Sequence, residues 1–208
     1  MRKLFTVNDA WQGGFYELDF ELPTGSQTIV KDAQVKLWNV PMLEGCFLRS
    51  DLEPTQQPKV SPLDTANEGH LYGIATFPGG KQCVCGSFWG NFEECGCWMT
   101  LYLPLGSLGT IFPVKAYPIY SKTESSPEVW LKEVNNWLKD IATDIYPQIK
   151  FNIALIGFEI DSFDVKKKLT EGIPNEHWEG ILIPDKNNLT WYPPTIYEPP
   201  LRLEKRLR

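Results

Sequence analysis

The 208-residue sequence contains little of what a metalloenzyme, a membrane protein or a nucleic-acid-binding protein needs. It has only 2 histidines, which excludes a multi-histidine metal centre unless carboxylates dominate the ligand set. Its longest apolar runs, such as 153–158, fall far short of the roughly 20 residues that span a bilayer. The 20 basic side chains are outnumbered by 26 acidic ones, and the resulting net charge of -6 argues against a dedicated binder of nucleic acid.

The motifs of common catalytic folds are also missing. The sequence has no phosphate-binding loop, dinucleotide fingerprint, HExxH helix or EF-hand spacing. The Gly-Ser stretches at 86–90 and 106–109 lack the residue between glycine and serine that the nucleophile turn of a hydrolase requires. We therefore expect no cofactor, and an enzyme is the less favoured class.

The composition is that of a globular protein with a substantial core. Hydrophobic residues make up 42% of the chain and aromatic residues 13%, which is too much for a disordered protein. Polar Asn8 and Asp9 interrupt the start of the chain, so we expect no secretory signal and a soluble, cytoplasmic protein. We expect one domain over 1–208, with a long polar loop near 50–67 and an extended, Pro-rich, basic C-terminal tail at 193–208.

Hydrophobic periodicity predicts strands in the first half of the chain. Four apolar residues alternate with three acidic ones over 16–22, which indicates a strand with one buried face and one solvated, acidic face. A short helix is predicted over 29–38 and a strand over 71–77. Residues 82–103 are predicted to form two strands around a turn near Gly90 and Asn91.

The second half contains the clearest helix, at 127–146. Pro127 suits its first position, and Pro147 is expected to end it. Its apolar residues form one stripe at helical spacing: Trp130, Leu131, Val134, Trp137, Leu138, Ile141, Ala142 and Ile145. A central strand over 151–160 and a hairpin joining 180–183 to 189–192 follow. These elements predict an α+β fold, a mostly antiparallel or mixed sheet with the long helix packed on one face.

The paired cysteines at 83–85 and 95–97 are the most unusual motif. A hairpin centred on Gly90 would place Cys85 opposite Cys95 and Cys83 opposite Cys97, all on one face. Apolar residues at 99, 101 and 103 continue that face, which favours buried core thiols. A four-thiolate zinc site and cross-strand disulfides are the alternatives, although a rectangle of about 5 by 7 Å suits tetrahedral zinc poorly.

Three titratable residues are weak catalytic candidates. Glu159 and Asp161 follow the predicted central strand, where sites in open sheets tend to form, and alternation suggests that Glu159 is partly buried. His177 could act as a general base. For these positions a turn, a solvent-exposed carboxylate and a solvated histidine are the favoured interpretations.

Phe88, Trp89 and Phe92 crowd the predicted hairpin tip. Because tips are usually polar, these rings form either a satellite cluster under another loop or a recognition surface. We favour a non-catalytic binding protein of the inhibitor or immunity type, whose partner is a protein and is expected to be basic, with no nucleic-acid or membrane partner. The alternatives are a small hydrolase using Glu159, Asp161 and His177, or a structural zinc protein.

Overall fold

Eight antiparallel strands of the described residues form a single sheet. The computed structural model describes residues 3–23, 27–64, 70–92, 96–114, 127–186 and 188–197. The strands are β1 (Phe15–Leu22), β2 (Leu43–Phe47), β3 (Leu71–Thr76), β4 (Gln82–Phe92), β5 (Gly96–Pro104), β6 (Ile153–Phe158), β7 (Gly180–Asp185) and β8 (Asn188–Tyr192). Their order in the sheet is β2-β3-β4-β5-β1-β6-β7-β8.

In the described part of the chain, four α-helices complete the predicted α+β fold: α1 (Gln27–Trp38), α2 (Leu105–Leu108), α3 (Pro127–Ile149) and α4 (Ser162–Leu169). The strand predicted at 16–22 is β1, which lies inside the sheet and pairs with both β5 and β6. All six residues of β6 are buried, as expected of a central strand. Strand β6 runs antiparallel to both of its neighbours, β1 and β7. The connection through α3 therefore does not join two parallel neighbouring strands.

Helices α1 and α3 cover one face of the sheet. The predicted apolar stripe of α3 is buried throughout, and it packs with Tyr16, Leu18, Phe20 and Leu22 of β1 in the main core. The prediction that Pro147 ends the helix is wrong, because α3 continues to Ile149. A proline this close to the last turn removes a single backbone donor, and burial of Ile145, Tyr146 and Ile149 offsets that loss.

Two glycines of the sheet, Gly45 and Gly73, leave room for the ring of Trp38, the last residue of α1. We call this space the glycine slot. The Trp38 ring lies over Gly45 and Gly73 on neighbouring strands, and a Cβ built on Gly73 would be 2.3 Å from that ring. The indole Nε1 donates to the Ser87 hydroxyl at 2.9 Å. Any larger residue at 73 would therefore displace the ring.

Two smaller clusters cover parts of the opposite face. The first places Phe5, Ala10 and Trp11 of the N-terminal segment on β2, β3 and β4. Glu53, in the polar loop near 50–67, holds that segment by accepting the backbone N–H groups of residues 4, 5 and 6. Residues 65–67 of this loop lie outside the described residues. In the second cluster α4 packs Val165 and Leu169 on β5, β6 and β7.

The two predicted hairpins are present, but the register of the first was predicted incorrectly. Strand β4 continues to Phe92, and Phe92 pairs with Gly96, so the strands connect through 93–95 instead of near Gly90. Gly90 is a regular strand position opposite Trp98. The hairpin of β7 and β8 matches its prediction.

The chain beyond β8 is described to Tyr197, whose ring packs against the main core together with that of Trp191. The tail residues 198–208 lie outside the described residues. Within the described ranges, no helix combines the length and the apolar character needed to cross a membrane.

Candidate functional site

The acidic face of β1 is buried, which corrects the prediction of a solvated face. Glu17, Asp19 and Glu21 are 9%, 5% and 8% exposed. The alternation along β1 was identified correctly, but α4 and the segment before it fold back over this face. The three carboxylates therefore lie in a row between the sheet and the covering layer, which consists of α4 and the segment before it.

Asp19 is the most deeply buried of the three. Its carboxylate accepts the Thr100 hydroxyl at 2.6 Å and also accepts the Ser162 hydroxyl. Burial raises the pKa of Asp19 to about 6, and the two hydroxyl hydrogen bonds act in the opposite direction. The two hydroxyls that donate to Asp19 are neutral. They stabilise its carboxylate but do not neutralise its negative charge.

Its neighbours on the strand are tied to the segment that covers them. A Glu17 oxygen accepts the backbone N–H of Ile160 at 2.9 Å, and Glu21 forms an ion pair with Lys166 of α4 at 2.5 Å. The chain reaches this position because Glu159 takes a left-handed conformation (φ 40°) directly after β6. Asp161 then caps α4 by accepting the Asp164 N–H at 3.0 Å.

Glu17, Asp19 and Asp161 form one side of a cleft of about 390 Å³, which we call the acidic cleft. It lies over β1, β5 and the end of β4, beside the start of α4. Its lining consists of Glu17, Asp19, Phe88, Gly90, Phe92, Trp98, Thr100, Ile160, Asp161, Ser162 and Phe163. The lining contains three acidic residues and no lysine or arginine among the described residues. Its volume is in the range of pockets that bind small molecules.

The structure separates the three aromatic residues predicted at the hairpin tip. Phe88 and Phe92 lie on the face of the acidic cleft and are 37% and 53% exposed. Trp89 points to the other face and packs against the main core. Gly90 lies between the two cleft phenylalanines, and a Cβ there would be 2.7 Å from the Phe92 ring.

The three catalytic candidates do not share a site. Only Asp161 lines the acidic cleft, while Glu159 forms the preceding turn. His177 is 6% exposed, which corrects its interpretation as a solvated residue. Its Nδ1 lies 2.7 Å from the Glu179 carbonyl oxygen, and its own carbonyl accepts the Thr195 N–H at 2.9 Å, so it anchors the C-terminal segment.

Three of the paired cysteines belong to the main core, on the face of the sheet that α1 and α3 cover. Cys83, Cys85 and Cys97 are buried together with Met99, Leu101 and Leu103, which is the favoured interpretation of their alternation. The predicted pairing of Cys83 with Cys97 is wrong, because Cys97 lies opposite Asn91. Cys95 lies outside the described residues. Among the residues described, no group of three or more His, Cys, Asp or Glu could hold a metal ion.

Sequence reasoning missed the residues that form the floor of the cleft. Asp19 and Glu17 were identified only as a polar strand face, and Thr100 and Ser162 were not singled out. One signal was present: α4 carries Lys166 together with apolar Val165 and Leu169, as expected of a short helix that lies over an acidic, half-apolar surface.

Comparison of the chain with known protein families, characterised proteins and solved structures returns no significant match.

Proposed function

We propose that the protein is a non-catalytic binding protein that recognises a basic partner protein through the acidic cleft. The observation that carries the proposal is the environment of Asp19, a carboxylate that is 5% exposed and hydrogen-bonded to two neutral hydroxyls. Within the described ranges, Asp19 has no ion pair. A buried charge that no cation balances lowers stability, and strongly perturbed groups of this kind cluster at functional sites. A cation from a partner would balance that charge.

Two further features support a protein partner. The exposed rings of Phe88 and Phe92 border the cleft, and aromatic anchors contribute most to the energy of protein interfaces. The net charge of -6 favours association with a basic protein. An inhibitor or immunity-type protein that neutralises a basic enzyme would have these properties.

The test is affinity purification from the native host with three baits: the wild-type protein, Asp19→Asn and Glu44→Gln. Glu44 lies on β2 in an exposed ion pair with Lys59 at 3.2 Å, so its substitution is a matched loss of one carboxylate outside the cleft. The wild-type and Glu44→Gln baits are expected to retain the same basic protein, and Asp19→Asn is expected to lose it. With that partner purified, Asp19→Asn should weaken binding by about 2 kcal/mol or more.

The affinity should also fall as the pH drops below about 6, because protonated Asp19 no longer attracts a cation. A partner retained equally by Asp19→Asn and by the wild-type bait would contradict the proposal.

A small hydrolase is the second candidate, and one observation favours it. The Ser162 hydroxyl donates to Asp19 inside the cleft, and burial raises the pKa of Asp19 to about 6, which suits proton transfer near neutral pH. The residues are not those predicted from the sequence, since Glu159 and His177 lie outside the cleft lining. Turnover of chromogenic ester, glycoside or peptide substrates that disappears in both Asp19→Asn and Ser162→Ala would support this candidate over the binding protein.

A further inference from the structure

Aromatic rings border the acidic cleft from two different elements. Phe88 and Phe92 come from β4, and Phe163 comes from the first turn of α4. Phe163 is 47% exposed although α4 buries apolar residues elsewhere. Partly exposed phenyl rings beside an acidic floor suit a flat cation, which can stack against a ring while it reaches the carboxylates.

The carboxylates at the floor of the cleft, Glu17 and Asp19, favour arginine over lysine. Glu17 and Asp19 lie two residues apart on the same strand face, so their backbones are roughly 7 Å apart. A cation that reaches Asp19 must leave water, since this carboxylate is only 5% exposed. The lysine ammonium is compact and strongly hydrated, whereas the guanidinium of arginine is weakly hydrated and carries five N–H donors in a planar fork.

We infer that the acidic cleft accepts one arginine side chain of the partner protein. The guanidinium donates to Asp19 and Glu17, and its plane lies between the rings of Phe88 and Phe163. The inference rests on the proposed function, which by itself requires only a basic partner. The hydroxyls of Thr100 and Ser162 hold the Asp19 carboxylate in a fixed orientation before arginine arrives, so little ordering is needed on binding.

Three short peptides that differ at one central position test the inference. That position is arginine, lysine or citrulline, the last being the uncharged analogue of arginine, and all other residues are glycine or serine. Titration calorimetry above pH 7 is expected to give at least about tenfold tighter binding of the arginine peptide than of the lysine peptide. The citrulline peptide is expected not to bind.

Variants of the protein locate the binding. Asp19→Asn should weaken the arginine peptide at least about tenfold, and Glu44→Gln should leave its affinity unchanged. Phe163→Leu keeps apolar bulk at an exposed position but removes the ring, and it should weaken the arginine peptide severalfold. An affinity that Phe163→Leu does not change would overturn the stacked arrangement.

The remaining outcomes separate this inference from the proposed function. Equal binding of the arginine and lysine peptides, with both lost in Asp19→Asn, overturns the arginine preference and leaves recognition of a basic partner intact. Binding of the arginine peptide that persists in Asp19→Asn overturns the inference and also removes the cleft from the proposed function. Failure of all three peptides to bind overturns the inference alone, because affinity purification decides the proposed function independently.

Discussion

Replacing Asp19 by asparagine is expected to stabilise the protein at neutral pH while it weakens partner binding. Asparagine has nearly the same shape as aspartate, and its amide can accept one of the two hydroxyl protons and donate to the other hydroxyl oxygen. The substitution therefore removes the buried charge and leaves the packing in place. Removal of a charge that no cation in the described part of the chain balances should raise the free energy of unfolding.

The size of the effect follows from the pKa of Asp19. Burial raises it from 3.8 to about 6, and at about 1.4 kcal/mol per unit the ionised carboxylate destabilises the folded state by about 3 kcal/mol. The folded protein holds this proton more tightly than the unfolded chain does. The stability that protonated Asp19 provides is thus fully present below pH 3.8 and is lost as the pH rises through about 6.

Urea denaturation of the wild-type protein and of Asp19→Asn at about pH 8 and about pH 4 measures the effect. The variant should be more stable by about 1 to 3 kcal/mol at the higher pH, and the two proteins should be nearly equal at the lower pH. Glu44→Gln serves as the control and should change stability by less than about 1 kcal/mol, because its ion pair is exposed. A variant that is less stable than wild type at about pH 8, or a difference that does not shrink in acid, would refute the argument.

Four further substitutions test the packing. Trp137→Ala should lower the free energy of unfolding by about 3 to 5 kcal/mol, measured by urea denaturation, because the ring is 3% exposed in the main core. Trp89→Ala should cost roughly 2 to 4 kcal/mol and Phe92→Ala less than about 1, since only the first ring packs against the core; equal losses in thermal melts would contradict this difference. Gly73→Ala should cost about 2 to 3 kcal/mol because its methyl group would collide with Trp38, and an unchanged melting temperature would contradict the glycine slot.

Local patterns in the sequence were sufficient to predict most of the elements. The stripe of α3 and the alternation of β1 depend on periodicities that the chain carries within each segment, and both appear in the structure. The register of the first hairpin was missed because Gly90 resembles a turn residue. In the structure it is a strand position whose missing side chain makes room for the Phe92 ring.

The acidic cleft could not be predicted from the sequence, because it depends on contacts between distant segments. Alternation in β1 shows that Glu17 and Asp19 share a face, but it does not show what covers that face. The covering segment begins at Ile160, more than a hundred residues further along the chain, and a left-handed residue at Glu159 directs it there. A search for catalytic motifs could not find the cleft for the same reason. Its floor residues, Glu17 and Asp19, have the sequence pattern of an ordinary strand with one solvated face.

The central place of β1 in the sheet also affects the order in which the protein can fold. During synthesis β1 leaves the ribosome before both of its neighbours, because Leu18 pairs with Leu101 on one side and with Ile156 on the other. Both pairings span long stretches of chain, and non-local pairing of this kind slows folding. The ribosome must therefore release both distant strands before β1 has its neighbours. The floor of the acidic cleft takes Asp19 from β1, Thr100 from β5 and Ser162 from α4, so it forms only after these three segments have come together.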